Sequence, residues 1–211
     1  WDDDLDVIVD YANYFKLLKA LKTELNEDFY YQCFENDKAY NVLIPAMKIR
    51  KRHTYVKEVN RFLKNRCASG DGLFLDVFIF DSMSENKGVH LLHRFASSLL
   101  MPPIVLLENL NFNPVFLKNV LVKYTQWYAD HYHDSQDIYF TLRWTWDGFK
   151  DKRVKRTDLY PTRRVQFEDG FYPVPNQYDQ YLTIAYSSNY MTPPPEDKRY
   201  AKHIVDIEIE D

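Results

Sequence analysis

The chain contains the stretch WDDDLDV at Trp1–Val7, in which four of the seven side chains are carboxylates. Carboxylates this close repel one another, so a folded protein keeps them charged only when positive charge lies among them. A divalent cation such as Mg²⁺, which prefers oxygen ligands and often accompanies nucleotide phosphates, is the usual partner of such a group. We therefore interpret Asp2, Asp4 and Asp6 as candidate metal ligands.

The segment Leu5–Val9 predicts a short β-strand immediately after the densest part of the acidic stretch. Alternate side chains of a strand share a face, so Asp4 and Asp6 are expected to point the same way while Leu5 and Val7 enter the core. Two carboxylates on one rigid element can clamp one divalent ion or bridge two. The alternative is a solvated acidic loop at a chain end.

A second carboxylate of interest interrupts the apolar run Leu73–Phe80, which predicts a buried strand. Asp76 lies within that run, where removing its charge from water is costly unless a cation or a hydrogen-bond partner compensates. If this strand lies beside the first one, Asp76 joins Asp4 and Asp6 around a metal ion. Otherwise Asp76 caps a loop or pairs with an arginine, and Asp81 ends the strand and caps a turn.

Length and composition limit the class of protein. With 211 residues, of which 45% are hydrophobic, the chain is expected to form one globular domain with a real core. A net charge of −4 gives no indication of a nucleic-acid surface. Cys33 and Cys67 show neither metal spacing nor a disulfide framework. The apolar run Leu99–Leu107 is too short for a membrane span and is broken by Pro102-Pro103, which favours core burial over a loop or contact with a membrane surface.

Hydrophobic periodicity predicts the remaining elements. The predicted helices cover residues 11–25 with Asp10 as cap, Val56–Asn65, Gly88–Leu100, Val115–His131, and Gln177–Tyr186 with Asn176 as cap. The predicted strands are Asp28–Phe34 and Val42–Arg50, a hairpin spans Arg163–Tyr172, and Asp137–Trp146 is either strand or helix. The acidic end, Asp206–Asp211, is expected to be a fraying tail.

Five segments, in the same order along the chain, resemble the LicD family of phosphotransferases. They are WDDDLDV at 1–7 followed by a helix, AMKIR at 46–50 with Thr54, LDVFIFD at 75–81, RRVQFEDG at 163–170 with the pairs VP, YD and YL at 174–182, and a closing segment with Tyr190-Met191, the prolines 193–195, Arg199 and His203. The resemblance covers nearly the whole chain, and the combination is more specific than any one motif.

The resemblance implies an α+β fold, a nucleotidyltransferase-like mixed sheet with flanking helices and a mostly helical C-terminal part. It implies a single domain over residues 1–211, with the metal-binding sheet core at 1–85 and a helical and hairpin portion at 86–211. The family also has a Gly-Thr/Ser-Leu-Leu-Gly segment upstream of the acidic stretch, at the place where this fold holds phosphate. We therefore expect the sequence to be an N-terminally truncated piece.

The activity implied by the resemblance is transfer of a phospho-alcohol, above all phosphocholine, from CDP-choline or another CDP-alcohol to a hydroxyl of a cell-surface glycan or glycolipid. Fukutin-type relatives use ribitol phosphate. The family pattern implies Mg²⁺ or Mn²⁺ as cofactor, bound by Asp4 and Asp6 with Asp76 as third carboxylate. Localisation follows as cytoplasmic with possible peripheral membrane contact, or the Golgi lumen in a eukaryote.

The expected mechanism is in-line attack of the acceptor hydroxyl on the β-phosphorus, with CMP leaving. Either Asp76 or Asp2 accepts the hydroxyl proton. Lys48, Arg163 and Arg164 are candidates to hold phosphate, since cationic side chains match phosphate oxygens, and His203 is a candidate substrate contact. Two alternatives stay open: nucleotidyl transfer from a nucleoside triphosphate, with release of pyrophosphate, and a family member without catalytic activity.

Several further side chains have two interpretations. A choline group needs an aromatic cage, for which the candidates are Tyr11, Tyr14, Trp144, Trp146 and Tyr160. Glu168 either positions a sugar hydroxyl or forms a salt bridge at a strand end. The basic turn Arg50–His53 is expected to be solvated, and His90, His93, His131 and His133 are expected to be ordinary histidines rather than zinc ligands.

Overall fold

The protein has a mixed α+β architecture with a mainly antiparallel sheet, seen in a computed structural model that describes residues 4–37, 46–58, 72–142, 152–201 and 204–209. The strands are β1 Asp6–Val9, β2 Phe29–Gln32, β3 Met47–Lys51, β4 Thr54–Glu58, β5 Phe74–Ser82, β6 Asp137–Phe140, β7 Val154–Lys155, β8 Arg163–Phe167, β9 Gly170–Val174 and β10 Ile204–Ile209. The helices are α1 Tyr11–Glu24, α2 Lys87–Asn109, α3 Val115–His131, α4 Arg156–Leu159 and α5 Tyr178–Tyr186, with a 3₁₀ turn at Glu196–Lys198.

Strand β5 organises the main sheet, in which β2, β3, β5, β6 and β7 follow one another and β1 pairs with β5. β1 runs parallel to β5, whereas β3 and β6 run antiparallel to it. The strand has nine residues, enough to offer pairing positions to three other strands. The main sheet includes residues from both sides of the predicted division between 1–85 and 86–211, because β6 and β7 come from the second half of the chain.

Alternation along β5 assigns each of its side chains to one of two sheet faces. Val77 and Ile79 belong to the larger core, into which α1, α2 and α3 also place apolar side chains. Phe80 belongs to a second core on the opposite face, which α5 covers with Tyr181. Asp76 alternates with Val77 and therefore lies on the α5 face.

Helix α1 begins where its free N–H groups find carboxylates. Asp10 accepts from the Asn13 N–H at 2.7 Å, as the sequence predicts for a capping aspartate. Asp81 accepts from the Tyr11 N–H at 3.0 Å. The expectation that Asp81 ends β5 and caps a turn is therefore wrong, since β5 continues to Ser82 and Asp81 caps a helix start 70 residues earlier in the chain.

Two predicted elements differ from the structure at residues that form one small sheet. Residues 56–58 of the predicted helix Val56–Asn65 belong to strand β4, and 59–65 lie outside the described residues. Residues 206–209 of the predicted tail Asp206–Asp211 belong to strand β10, which pairs antiparallel with β4 from Ile204 opposite Glu58 to Ile209 opposite Thr54. Both segments form strands because they pair with each other, since each is too short to be a stable strand without its partner.

Smaller differences concern ends and faces of elements. Helix α5 begins after Gln177, and the Asn176 side chain donates to the Thr157 carbonyl instead of capping the helix. Leu5 precedes β1 and is 62% exposed, so the expectation that it enters the core is wrong. The segment Asp137–Trp146, for which the sequence allows either strand or helix, begins with strand β6 at Asp137–Phe140.

Helix α2 continues through Pro102-Pro103 instead of ending near Leu100. Met101 and Ile104, on either side of the proline pair, are buried in the larger core, and this packing outweighs the local cost of proline. Among the described residues α2 is also the one helix long and apolar enough to cross a membrane, with a third of its most apolar window buried. Length and composition alone are weak support for a span, since core helices of soluble proteins meet the same criterion.

The inward face of α2 is unusually polar, while leucine and phenylalanine side chains dominate its outward face. His90, His93 and Arg94 are buried, whereas Leu92 and Phe95 are more than half exposed. His93 stacks on the Tyr128 ring at 3.7 Å between centroids, and its Nδ1 lies 3.1 Å from the Tyr124 hydroxyl. Burial, with a smaller contribution from neighbouring His90, lowers the pKa of His93 from the ordinary 6.5 to about 3.

We expect His93 to make folding sensitive to mild acid. Its folded-state pKa lies below its unfolded value, so its contribution to stability is complete above pH 6.5 and is lost as the pH falls towards 3. Between pH 6.5 and 5 the free energy of unfolding should fall by roughly 1.5 kcal/mol more in the native protein than in His93→Phe. Urea unfolding at the two pH values measures this difference. His131→Phe, a change at an exposed histidine of α3, should keep the native pH dependence, and equal slopes for native protein and His93→Phe would contradict the assignment.

Candidate functional site

The parallel pairing of β1 with β5 brings together two of the carboxylates that the sequence singled out. Asp6 and Asp76 are direct register partners, and the Asp76 N–H donates to the Leu5 carbonyl at 3.2 Å. Register partners on neighbouring strands point to the same face of a sheet. The expectation that the acidic stretch lies beside the apolar strand is therefore confirmed for these two residues.

Strand β3 adds a cation at the same register position on the other side of β5. Lys48 is the register partner of Asp76, and its Nζ lies 2.6 Å from Asp76 Oδ1. The ammonium also lies 3.3 Å from the centroid of the Phe74 ring. Lys48 is 1% exposed, so its buried ammonium needs a carboxylate of opposite charge to offset the cost of removing it from water.

Glu58, at the end of β4, supplies a second carboxylate to Lys48 and also contacts an arginine. Its Oε1 lies 3.0 Å from Lys48 Nζ, and its Oε2 accepts from an Arg50 terminal nitrogen at 2.9 Å. Arg50 is fully buried, and its remaining donors reach the Gln32 side chain and, at 2.9 Å, the Gly72 carbonyl. Two acids and two bases thus form a continuous buried chain in the order Asp76, Lys48, Glu58, Arg50.

Gly72 permits the close approach that completes this chain of charges. A Cβ at this position would lie 2.0 Å from the Lys51 carbonyl oxygen, so no larger residue fits without movement of the backbone. Thr54 holds the same corner, because its hydroxyl donates to the Lys51 carbonyl and accepts from the Leu73 N–H, both at 2.8 Å. The threonine of the KIR…T pattern therefore joins the start of β4 to the start of β5.

The prediction that the basic turn Arg50–His53 is solvated is wrong for Arg50, which is buried, and is confirmed for Arg52, which is exposed. Arg50 occupies an inward position of β3, whereas the exposed Arg52 donates to the Glu27 carbonyl at 3.0 Å. The strand alternation of Lys48 and Arg50 with Met47 and Ile49 contained the signal, since both apolar side chains belong to the larger core. Glu58 and Gln32 carried no local signal of their own.

The other predicted site residues have separate positions. Asp4 is exposed just before β1, and Asp2 and His203 lie outside the described residues. The predicted hairpin is confirmed as β8 and β9, and Arg163 and Arg164 are exposed on it. The Arg163 guanidinium lies 5.5 Å from the centroid of the Tyr178 ring, and Arg164 donates to the Phe171 carbonyl. Phosphate contacts of these arginines stay a prediction.

The expected aromatic cage loses two of its candidates. Tyr11 and Tyr14 are 2% and 6% exposed in the larger core, and desolvation raises the pKa of Tyr11 to about 12. Tyr160 is half-buried, and Trp144 and Trp146 lie outside the described residues. Glu168 lies in the turn between β8 and β9 with φ of 50°, an exposed position that favours neither of its two proposed roles.

The donor set at the strand pair fits a hard divalent cation in part. Across residues 4–37, 46–58, 72–142, 152–201 and 204–209, no three histidine, cysteine or acidic side chains come close enough to form a metal group by themselves. Mg²⁺, however, is commonly held by one or two carboxylates together with substrate phosphates and water. Asp6 and Asp76, register partners on one sheet face, are the candidates for such a pair, and a cation there would have to share Asp76 with Lys48.

Comparison of the chain with protein-family models, with curated proteins and with solved structures gave no significant match. The architecture described above is therefore established by the strand pairing and packing of this chain alone.

The contact between Lys48 and Asp76 can be tested by a double-mutant cycle. Lys48→Met should lower the free energy of unfolding by about 3 to 5 kcal/mol, because it leaves two carboxylates without their shared cation. Adding Asp76→Asn should recover at least about 0.5 to 1 kcal/mol of that loss. Urea denaturation of the four proteins gives the coupling energy. Lys51→Met, an exposed change on the same strand, should cost no more than about 0.5 kcal/mol, and strictly additive losses in the cycle would rule out the buried ion pair.

Proposed function

We propose that the protein is a metal-dependent phosphotransferase that moves a phospho-alcohol, above all phosphocholine, from a CDP-linked donor to a glycan hydroxyl. The observation that carries the proposal is the in-register pairing of Asp6 with Asp76, with Lys48 beside them. The nucleotidyltransferase-like fold belongs to the same proposal. The order of motifs that resembles the LicD family supports it further.

Five side chains from the first half of the chain have roles in this proposal. Asp6 and Asp76 hold Mg²⁺ or Mn²⁺ with help from Asp4 and Asp2, and the metal supplies charge neutralisation to the diphosphate and the leaving phosphate oxygen. Lys48 contributes a fixed ammonium on the same sheet face, 2.6 Å from Asp76. Its contact with a donor phosphate is part of the proposal and requires that the phosphate approach an ammonium that Asp76 and Glu58 already hold.

The reaction forms one bond and breaks one bond at the β-phosphorus. The acceptor hydroxyl oxygen bonds to phosphorus, the bond to the CMP oxygen breaks, and the hydroxyl proton passes to a carboxylate. Asp76 and Asp2 are both candidates for that proton. Arg163, Arg164 and His203 are proposed as contacts to the donor or acceptor from the second half of the chain.

The acceptor and the location of the reaction form the remaining part of the proposal. A cell-envelope glycan or glycolipid such as a teichoic acid or lipopolysaccharide would be modified from the cytoplasm, or a glycan in the Golgi lumen of a eukaryote. Contact with a membrane surface is supported by the exposed apolar side chains Leu92, Phe95 and Leu99 of α2.

We expect CMP release from CDP-choline or CDP-ribitol in the presence of Mg²⁺ and a glycan acceptor. Asp6→Asn and Asp76→Asn should each lower turnover at least about 100-fold, because each removes a charge that faces the reacting phosphates. Coupled detection of CMP with a panel of CDP-alcohols measures the rate. Asp81→Asn is the matched control, since it changes a carboxylate on the opposite face of β5 and should leave the rate within about threefold of native.

The products decide between the proposed reaction and its rival. Release of pyrophosphate from a nucleoside triphosphate, without CMP release from any CDP-alcohol, would replace phosphotransfer by nucleotidyl transfer at the same carboxylates. Native turnover in Asp6→Asn would contradict both.

A further inference from the structure

The buried chain of charges contains one carboxylate for which the phosphotransferase proposal has no role. Glu58 is 7% exposed, comes from β4 rather than from the main sheet, and accepts from both Lys48 and Arg50. A buried carboxylate with two cationic partners is fixed in position by charge-assisted hydrogen bonds. Its position is thus set independently of anything that binds at Asp6.

Lys48 lies between two carboxylates at similar distances, 2.6 Å to Asp76 and 3.0 Å to Glu58. A divalent cation that binds Asp76 repels the ammonium and competes with it for the same oxygens. If Asp76 were the partner of Lys48 by itself, metal binding would leave a buried ammonium without a counter-charge, which is costly. Glu58 removes that cost, because the ammonium keeps a charged partner when Asp76 turns to the metal.

The fixed geometry of Glu58 depends on Arg50. The arginine donates to the Gln32 side chain, to the Gly72 carbonyl and to Glu58, so three different strands or strand ends hold it. Its guanidinium stays protonated in proteins, so Glu58 always has a cation beside it. Arg50 therefore orients one oxygen of Glu58 and leaves the other for Lys48.

We propose that Glu58 is a positioning residue that gives Lys48 a second anionic partner, so that Asp76 can exchange the ammonium for a divalent cation. The proposal rests on the metal-dependent function proposed above and deepens it. Lys48 acts as the internal counter-ion of Asp76 in the metal-free protein, and Glu58 sets how strongly it competes with the metal.

Binding of Mn²⁺ alone, measured by isothermal titration calorimetry without donor or acceptor, tests this role. Glu58→Gln should weaken Mn²⁺ binding about tenfold, the lower end of the loss caused by removing outer-shell partners of a metal site. The amide keeps the shape of the side chain and one acceptor oxygen, but it no longer carries a negative charge, so Lys48 binds Asp76 more strongly and competes more with the metal. Glu58→Asp should restore part of the affinity, since it returns the charge on a shorter side chain.

Lys48→Met supplies a change of opposite sign. Without the ammonium its competition for Asp76 is removed, so Mn²⁺ should bind more tightly than it does to the native protein. A structural role of Glu58 alone would lower the melting temperature of Glu58→Gln and leave the Mn²⁺ affinity of the folded protein unchanged. Glu85→Gln, at an exposed carboxylate beyond β5, is the matched control and should bind Mn²⁺ as the native protein does.

The outcomes separate this inference from the function on which it rests. Native Mn²⁺ affinity in Glu58→Gln, combined with loss of binding in Asp6→Asn, would overturn the role of Glu58 and leave the metal site standing. Absence of Mn²⁺ binding in the native protein would overturn both. If Glu58→Gln does not fold, Mn²⁺ binding to Lys48→Met that is no tighter than binding to the native protein would overturn the proposed competition.

Discussion

The buried ion pair between Lys48 and Asp76 connects the three strands on which the candidate site depends. Both residues lie at one register level of the sheet, with Asp6 at the same level on β1. A pair of charges at this depth is tolerated because the ammonium has two further partners, the Glu58 carboxylate and the Phe74 ring. Register is strictly fixed as a result, since a shift of one residue would carry Asp76 to the apolar face and Val77 among the charges.

The two faces of the sheet thus have different functions in this chain. The face that carries Val77 and Ile79 is closed by α1, α2 and α3 and supplies most of the apolar burial. The opposite face is apolar at one end, where Phe80 packs with Tyr181, and charged further along, where Asp6, Asp76 and Lys48 lie with the Phe74 ring beside the ammonium. Because apolar packing and charged side chains lie on opposite faces of the sheet, the candidate site keeps its charges without weakening the larger core.

Local sequence patterns were sufficient where an element depends on its own residues. The Asp10 cap of α1, the helix Val115–His131 and the hairpin of β8 and β9 were predictable, because capping, helical spacing and turn residues are all local signals. The neighbourhood of Asp6 and Asp76 also followed from sequence, since a carboxylate within an apolar strand requires a partner or a metal.

Elements that depend on distant partners could not be predicted in this way. Five residues of β4 do not distinguish strand from helix until β10 pairs with them, so the sequence predicts a helix at Glu58, where the structure has the end of β4. The same limitation hid the burial of Arg50, because the acceptors on Gln32 and Gly72 come from other parts of the chain. Helix α2 passes Pro102-Pro103 for a related reason, since burial of Met101 and Ile104 decides its course.

The pairing of β4 with β10 ties the end of the described chain to the interior of the site. Ile204 lies opposite Glu58, so the backbone that orients this carboxylate is held by a strand encoded far downstream. A proteolytic cut or a disruptive substitution within Ile204–Ile209 would loosen β4 and, through Glu58, disturb the Lys48 ammonium. Intactness of the last strand is therefore a precondition for any preparation in which the carboxylates are to be studied.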